Sequence, residues 1–338
     1  MSHLARPFLI ITSIASPTTT LREIARGAIA AGFNFILIGD SKSPTNFELE
    51  GCDFYSVDRQ LKAGLAFAKI CPLGHYARKN IGYLLAIGAG ASLILETDDD
   101  NIPRDKFWQA RHPEVRAPLL NSGGWVNVYR YFTDALIWPR GLPLDSIQDS
   151  LPPLDTLPVQ PVTCPIQQGL ADENPDVDAI YRLTLRLPQN FRSDPQIALG
   201  AGSWCPFNSQ NTAWWPQAYP LLYLPAYCSF RMTDIWRSFV AQKIAWVNRW
   251  SILFHGPNVW QKRNEHNLMR DFADEIPGYL NNRSMCDALD ELQLRPGADF
   301  LAENLISCYS ALVNRGWVGQ EELLLLSAWL EDIRSLRS

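Results

Sequence analysis

Apolar residues along the chain keep two rhythms: short continuous runs bounded by turn formers, and longer stretches in which they recur every three or four positions. The first run, residues 8–14, is rich in β-branched side chains and lies between Pro7 and Pro17, as a buried parallel strand would. A helical stretch follows, opened by a Thr20-x-x-Glu23 capping box, carried by Leu21, Ile24, Ala25, Ala28 and Ile29, and stopped by Gly32. Residues 35–38 read as a second strand ending in Gly39-Asp40-Ser41-Lys42, residues 54–57 as a short third one, and 60–70 and 76–88 as helices. In the last of these Ala77, Ile81, Leu84 and Leu85 share a face. The next strand, 92–97, delivers Asp98-Asp99-Asp100-Asn101 at its carboxyl end. Strands alternating with helices predict a right-handed, mainly parallel sheet with helices on both faces, a Rossmann-like α/β fold whose ligands gather at the carboxyl ends of the strands.

Residues 139–165 carry seven prolines and read as an extended excursion rather than core. From 197 the chain is aromatic and irregular until Thr233-Asp234 opens a helix to about residue 250, with a late strand over 251–259 behind it. After about residue 283 the pattern is helical to the end. The expected organisation is a single domain over 1–282 and a helical extension, 283–338, packed on it.

With 47% hydrophobic and 19% charged residues the 338-residue chain is globular rather than disordered. A net charge of −5 without any Lys/Arg run argues against a nucleic-acid binder. Seven scattered cysteines, none in a Cys-x-x-Cys pair, suggest neither a zinc site nor a disulfide framework. No apolar stretch approaches the roughly 20 residues that span a bilayer, and reduced thiols fit a cytoplasmic protein.

Three consecutive aspartates after a buried strand concentrate negative charge where a parallel sheet presents ligands, with Asp98 and Asp100 on one side. Oxygen donors of this kind suit Mg²⁺ or Mn²⁺; a solvated acidic turn would look the same. Arg78 and Lys79 could meet a diphosphate or be solvated charges. Asp40 and Lys42, like Thr12 and Ser13 late in the first strand, sit where a nucleoside would be held, although Asp and Lys are also ordinary turn residues. Asp234 could be a general base or simply an acid in a first helical turn. Trp204, Trp214, Trp215 and Tyr219 could stack on sugar rings or fill a core. His255 and His266 flank Lys262-Arg263, a basic pair that could close over phosphates. Gly88/Gly90 and Gly200/Gly202 lack the context of a dinucleotide fingerprint, and neither a P-loop nor a Gly-x-Ser-x-Gly elbow is present.

The run from 77 to 101, ending in Glu96-Thr97-Asp98-Asp99-Asp100-Asn101, resembles the signature of STELLO-type glycosyltransferase-like proteins and, more distantly, of the reversibly glycosylated polypeptides, the UDP-arabinopyranose mutases of plants. Ile137-Trp138-Pro139-Arg140-Gly141, Gln167-Gln168-Gly169-Leu170, Pro175-Asp176-Val177-Asp178 and residues 317–330 extend the STELLO resemblance over nearly the whole chain. It implies a glycosyltransferase A (GT-A) fold in which an acidic motif holds a nucleotide-sugar diphosphate through Mn²⁺ or Mg²⁺. By that resemblance Asp98 and Asp100 sit at metal and ribose, and Arg78 near the nucleotide. The segment with Asn208 and Asn211 faces the sugar, and Asp234 is the acidic catalytic or acceptor-binding residue. A third metal ligand is left to His255 or His266, because Trp260-Gln261 stands where related proteins place a histidine.

The expected function is thus a metal-dependent glycosyltransferase moving a sugar from a nucleotide sugar, a UDP-sugar by analogy, to a glycan or other hydroxyl acceptor. Its donor-side residues would be Thr12, Ser13, Asp40, Lys42, Arg78, Asp98, Asp99, Lys262 and Arg263, and its sugar-side residues Trp204, Asn208, Asn211 and Trp214. The rivals are a nucleotide-sugar mutase, for which Arg192 would be the reactive arginine, and a non-catalytic scaffold.

Overall fold

The computed structural model describes residues 6–262 and 267–337. Its strands, in chain order, are β1 (Pro7–Thr12), β2 (Asn34–Ile38), β3 (Cys52–Tyr55), β4 (Leu93–Thr97), β5 (Asn101–Pro103), β6 (Glu114–Leu120), β7 (Gly124–Trp125), β8 (Val159–Thr163), β9 (Ile166–Asp172), β10 (Gln196–Leu199), β11 (Ser203–Trp204), β12 (Asn211–Trp214) and β13 (Ile252–Gln261). The helices are α1 (Thr19–Ala31), α2 (Val57–Leu61), α3 (Ala66–Ile70), α4 (Lys79–Gly88), α5 (Ala179–Thr184), α6 (Thr233–Val247), α7 (Leu268–Asp290), α8 (Leu301–Asn314) and α9 (Glu322–Arg337).

The first apolar run is β1, and its alternation explains its burial on both sides. Leu9 and Ile11 pack with Leu21, Ile24 and Ala28 of α1, while Phe8 and Ile10 pack with Ile81 and Leu84 of α4. Thr18 caps α1, accepting the N–H of Leu21 at 3.1 Å, so the helix begins two residues ahead of the expected Thr20 box. Gly32, at φ 73°, closes it as anticipated. The single helix expected over 60–70 is two short ones, α2 and α3, separated at Gly64 with φ 79°.

The main sheet runs β3-β2-β1-β4-β12-β9-β13-β10-β6-β8, with β5 added along β13. From β3 to β4 every pairing is parallel. Beyond β4 the sheet is mixed: β12 enters antiparallel to both β4 and β9, β13 runs parallel to β9, and β10 is antiparallel to β13. The expected mainly parallel sheet therefore holds for the first half of the order only. The chain leaves β1 for β2 on one side and returns as β4 on the other, which opens a crevice outside the carboxyl ends of β1 and β4.

The carboxyl-terminal helices join the same body. Helix α8 packs on α6, and α9 packs on α3, α4 and α8. Trp329 is fully buried against Phe67 and Tyr223. Glu322 accepts the N–H groups of Ala226 and Tyr227 and the hydroxyl of Tyr223, and Asp332 accepts the first N–H groups of α3. Among the described residues no helix is long and apolar enough to cross a membrane.

Candidate functional site

A cavity of about 440 Å³ opens at the crevice between β1 and β4. Its lining brings together Thr12, Ser13, Asp40, Lys42, Arg78, Asp98, Asp99, Asp100 and Asp234, nine candidates that the sequence scatters over more than 200 positions.

The triplet is anchored from below. Asn101 is buried and donates to Thr97 Oγ1 at 3.0 Å and to the Gln210 carbonyl at 2.9 Å, which fixes the turn as the chain leaves β4. Asp99 accepts the Ser13 hydroxyl and is thereby tied to the end of β1. Asp98 accepts the Tyr76 hydroxyl at 2.9 Å and lies 3.5 Å from the buried ammonium of Lys79. Burial pushes the Asp98 carboxyl up to about 6, against the pull of Lys79. Asp100 accepts the side-chain amide of Gln261 at 3.2 and 3.3 Å. The amide oxygen of that same Gln261 is buried without a partner among the described residues.

The candidate loops are held as much as they hold. Asp40 accepts the backbone N–H groups of Ser41, Gly74 and His75, so its carboxylate shapes the cavity rim. Arg78 is 1% exposed, its guanidinium on Gln60 Oε1 and the Cys71 carbonyl. Lys42 is exposed on the rim.

Asp234, in the first turn of α6, faces the same cavity. Arg140 reaches both of its oxygens, at 3.1 and 3.0 Å, and grips Asp176 through two bonds of 2.8 Å. Ser209 adds its N–H and hydroxyl to Asp234 at 3.2 Å. Burial works against charge on Asp234, but the guanidinium outweighs it and holds the carboxyl below the usual range; Asp176 is held at about 2 in the same way. The Arg140 turn depends on Gly141, at φ 91°, where a Cβ would meet Ile235 Cγ2 at 2.5 Å.

Several expected site residues lie elsewhere. Trp204 and Trp214 are core: Trp204 packs edge-on to Trp246, and Trp214 is fully buried with its N–H on Glu96. Neither offers a face to a sugar, and the half-exposed aromatic ring at the cavity is Phe230, braced by His75 and Tyr76. Asn211 is buried between Leu170 and Asn258. Asn208 supports the site indirectly, donating to Asp176 at 2.8 Å. His255 is six residues along β13 from Gln261, about 20 Å for an extended strand, and its Nδ1 is engaged with the Gly256 carbonyl. It cannot be a ligand alongside the triplet. Lys262 follows β13 and its N–H bonds the Asp100 carbonyl at 3.1 Å, while its side chain is absent from the cavity lining. Arg263 and His266 lie outside the described residues. Arg192 pairs with Asp134 on the surface, away from the cavity.

The cavity residues missed as site residues include Tyr76, Arg140, Asp176, Phe230, Arg231 and Gln261. The signal for two of them was in the sequence, because Arg140 and Asp176 are charges set inside otherwise apolar or proline-flanked segments, Trp138-Pro139-Arg140-Gly141 and Pro175-Asp176-Val177.

Among the described residues no three His, Cys, Asp or Glu side chains converge on one point. A cation would instead find the carboxylates of Asp98 and Asp100, both hard oxygen donors.

Comparison with known proteins converges on one family. The model of the STELLO glycosyltransferases matches residues 231–338. Two Arabidopsis thaliana proteins, "Probable glycosyltransferase STELLO2" and "Probable glycosyltransferase STELLO1", are 27% and 26% identical to this chain over 346 aligned positions, covering 96% of it. The chain spans 44% of the length of each. With the match running from the parallel strands through the acidic triplet to the last helix, the chain is similar to the STELLO-type glycosyltransferase-like proteins along nearly its whole length.

Proposed function

We propose that the chain is a metal-dependent glycosyltransferase of GT-A type that moves a sugar from a nucleotide sugar, a UDP-sugar by family analogy, to a hydroxyl acceptor. The observation that carries this is the placing of Asp98 and Asp100 in one cavity with Asp234, at the crevice between β1 and β4. The nucleoside would lie over the ends of β1 and β2, at Thr12, Ser13 and the Asp40–Lys42 rim. The diphosphate would lie at the triplet and the transferred sugar at Asp234.

Charge supports a cation there. Among the described residues six carboxylates and four cationic side chains line the cavity, and three of those cations, Arg78, Arg140 and Arg231, are already engaged by protein acceptors. An incoming diphosphate therefore needs a further positive charge. Asp98 and Asp100 would hold Mn²⁺ or Mg²⁺, which would supply Lewis-acid stabilisation of the leaving diphosphate.

In the transfer the bond from anomeric carbon to diphosphate oxygen breaks, its electron pair leaving with the nucleoside diphosphate, and a bond to the acceptor oxygen forms while the acceptor's hydroxyl proton is released to solvent water. Asp234 is ionised, buried and fixed by Arg140, so it accepts the hydrogen bond of that hydroxyl and holds it in line. The same salt bridge makes it a weak base, which suits positioning better than early proton abstraction.

Thermal unfolding against UDP, GDP, ADP and their sugars, with and without Mn²⁺, tests the reading. One nucleotide class should stabilise the wild-type chain in the presence of the metal, by about 2.7 kcal/mol at a hundredfold excess over Kd. Asp100→Ala should remove that stabilisation and leave the unliganded melting temperature within about 2 °C. No response to any nucleotide would reject the enzyme reading in favour of a scaffold.

A further inference from the structure

We infer that the donor's sugar is an uncharged polyhydroxyl ring and that the cavity discriminates against nucleotide sugars carrying a carboxylate on the ring. The inference rests on the glycosyltransferase reading above and names its substrate class.

The sugar side of the cavity is lined by an ion-pair lattice built on Arg140 and Arg231. Arg140 has five N–H groups, and five acceptors take them: Nε and Nη2 go to Asp176, Nη1 and Nη2 to Asp234, and Nη1 also to the Arg231 carbonyl. Arg231 is opposed by Glu275, which is fully buried and lies 2.8 Å away. Two guanidinium groups thus face three carboxylates, Asp176, Asp234 and Glu275, and the lattice carries a surplus of negative charge.

This lattice adjoins the diphosphate position. Tyr76 accepts from Lys79, donates to Asp98 and lies 2.7 Å from the Ser209 hydroxyl, which in turn bonds Asp234. A sugar attached to a diphosphate at the triplet must therefore lie over Asp234 and Arg140. Sugar hydroxyls can donate to the remaining lone pairs of the two aspartates. A ring carboxylate would meet like charge, and Arg140 has no N–H left to offer it. Sites that select carboxylates present an open bidentate arginine; here the cavity arginine best placed for that duty is closed by its own aspartates.

The test is calorimetric titration of the full chain in Mn²⁺ with UDP, with UDP-glucose and UDP-galactose, and with UDP-glucuronate and UDP-galacturonate. In each pair of matching ring configuration the uronate should bind about tenfold or more weakly than the neutral sugar, and more weakly than UDP itself, as like charges a few ångströms apart require. Equal or tighter binding of a uronate would overturn the inference. Asp234→Asn, checked for its fold by circular dichroism, should narrow the gap; an unchanged gap in the folded variant would place the discrimination elsewhere and also overturn it. UDP carries no sugar, so failure of UDP, GDP and ADP alike to bind would strike the donor reading first and remain distinguishable from a wrong sugar class.

Discussion

The Lys79 ammonium stands 3.5 Å from Oδ1 of Asp98, yet its shorter bonds go to the Thr97 carbonyl at 2.8 Å, the Tyr76 hydroxyl at 2.9 Å and the Ser209 carbonyl at 3.1 Å. The first aspartate of the triplet therefore has an internal counter-ion that is locked to the backbone on either side of the cavity. Helix α4 supplies it, so the acidic turn and the helix before it are electrostatically one unit.

Replacing Lys79 by Met should leave Asp98 with the Tyr76 hydroxyl but without a counter-ion and strip two buried carbonyls of a donor, at a cost of about 3 kcal/mol in urea unfolding. Lys79→Arg should recover little, because a planar fork cannot reproduce three converging bonds from one nitrogen. A loss below about 1 kcal/mol in Lys79→Met would show that the ammonium is not what holds the triplet.

Arg140 is the second keystone. Arg140→Met would strand Asp176 and Asp234 together as buried like charges, which predicts a loss of about 4 kcal/mol. Adding Asp176→Asn to that variant should return part of the stability. The double-mutant cycle would then give a coupling energy well above the few tenths expected of independent sites. Additive effects would contradict the lattice.

How much of this was legible follows from where each partner lies in the chain. The parallel half of the sheet was readable because its strands are unbroken apolar runs, and the triplet stood out as charge directly after such a run. The mixed half was not. Every residue of β9 is buried, but two of its positions are Gln167 and Gln168, whose amides bond the His112, Cys164 and Asn211 carbonyls; a polar strand satisfied this way reads as loop. Strand β12 is only four residues long, and its antiparallel insertion beside β4 leaves no local trace. Arg140 was missed as a site residue because its partners are 36 and 94 positions away. Trp204 and Trp214 were weighed as surface or core, and their ring contacts, which decide the matter, are non-local as well.

His255 gives the pH prediction. Burial, and then the positive charge of Arg111, lower its imidazole to about 4, from an ordinary value of 6.5. Between those values the unfolded chain binds a proton that the folded chain refuses, so stability rises with pH there and falls on acidification from about 6.5 to 4. His255→Gln, neutral throughout, should remove about 2 kcal/mol of that acid sensitivity. The measurement is the difference between urea unfolding free energies at pH 7 and pH 4.5 for the two proteins; equal differences would contradict it.

The last prediction concerns reach across the chain. Helix α3 begins after Leu65, which has no side-chain acceptor to cap it, and Asp332 of α9 supplies the cap from 266 positions away by accepting the N–H groups of Ala66 at 2.9 Å and Phe67 at 2.8 Å. At its other end α3 runs into Cys71, whose carbonyl holds Arg78 at 3.0 Å, and then into the Gly74–His75 turn that Asp40 fixes at the cavity rim. Asp332→Ala should cost about 1.5 kcal/mol and loosen this line of contacts rather than the whole fold. Amide exchange should therefore quicken over residues 66–75 while α1, on the opposite face of the sheet, keeps its protection. Because that turn forms part of the rim, nucleotide-induced stabilisation should weaken in the same variant, although Asp332 does not line the cavity. Unchanged exchange over 66–75 would show that α3 does not depend on the distant cap and would break the link between α9 and the rim.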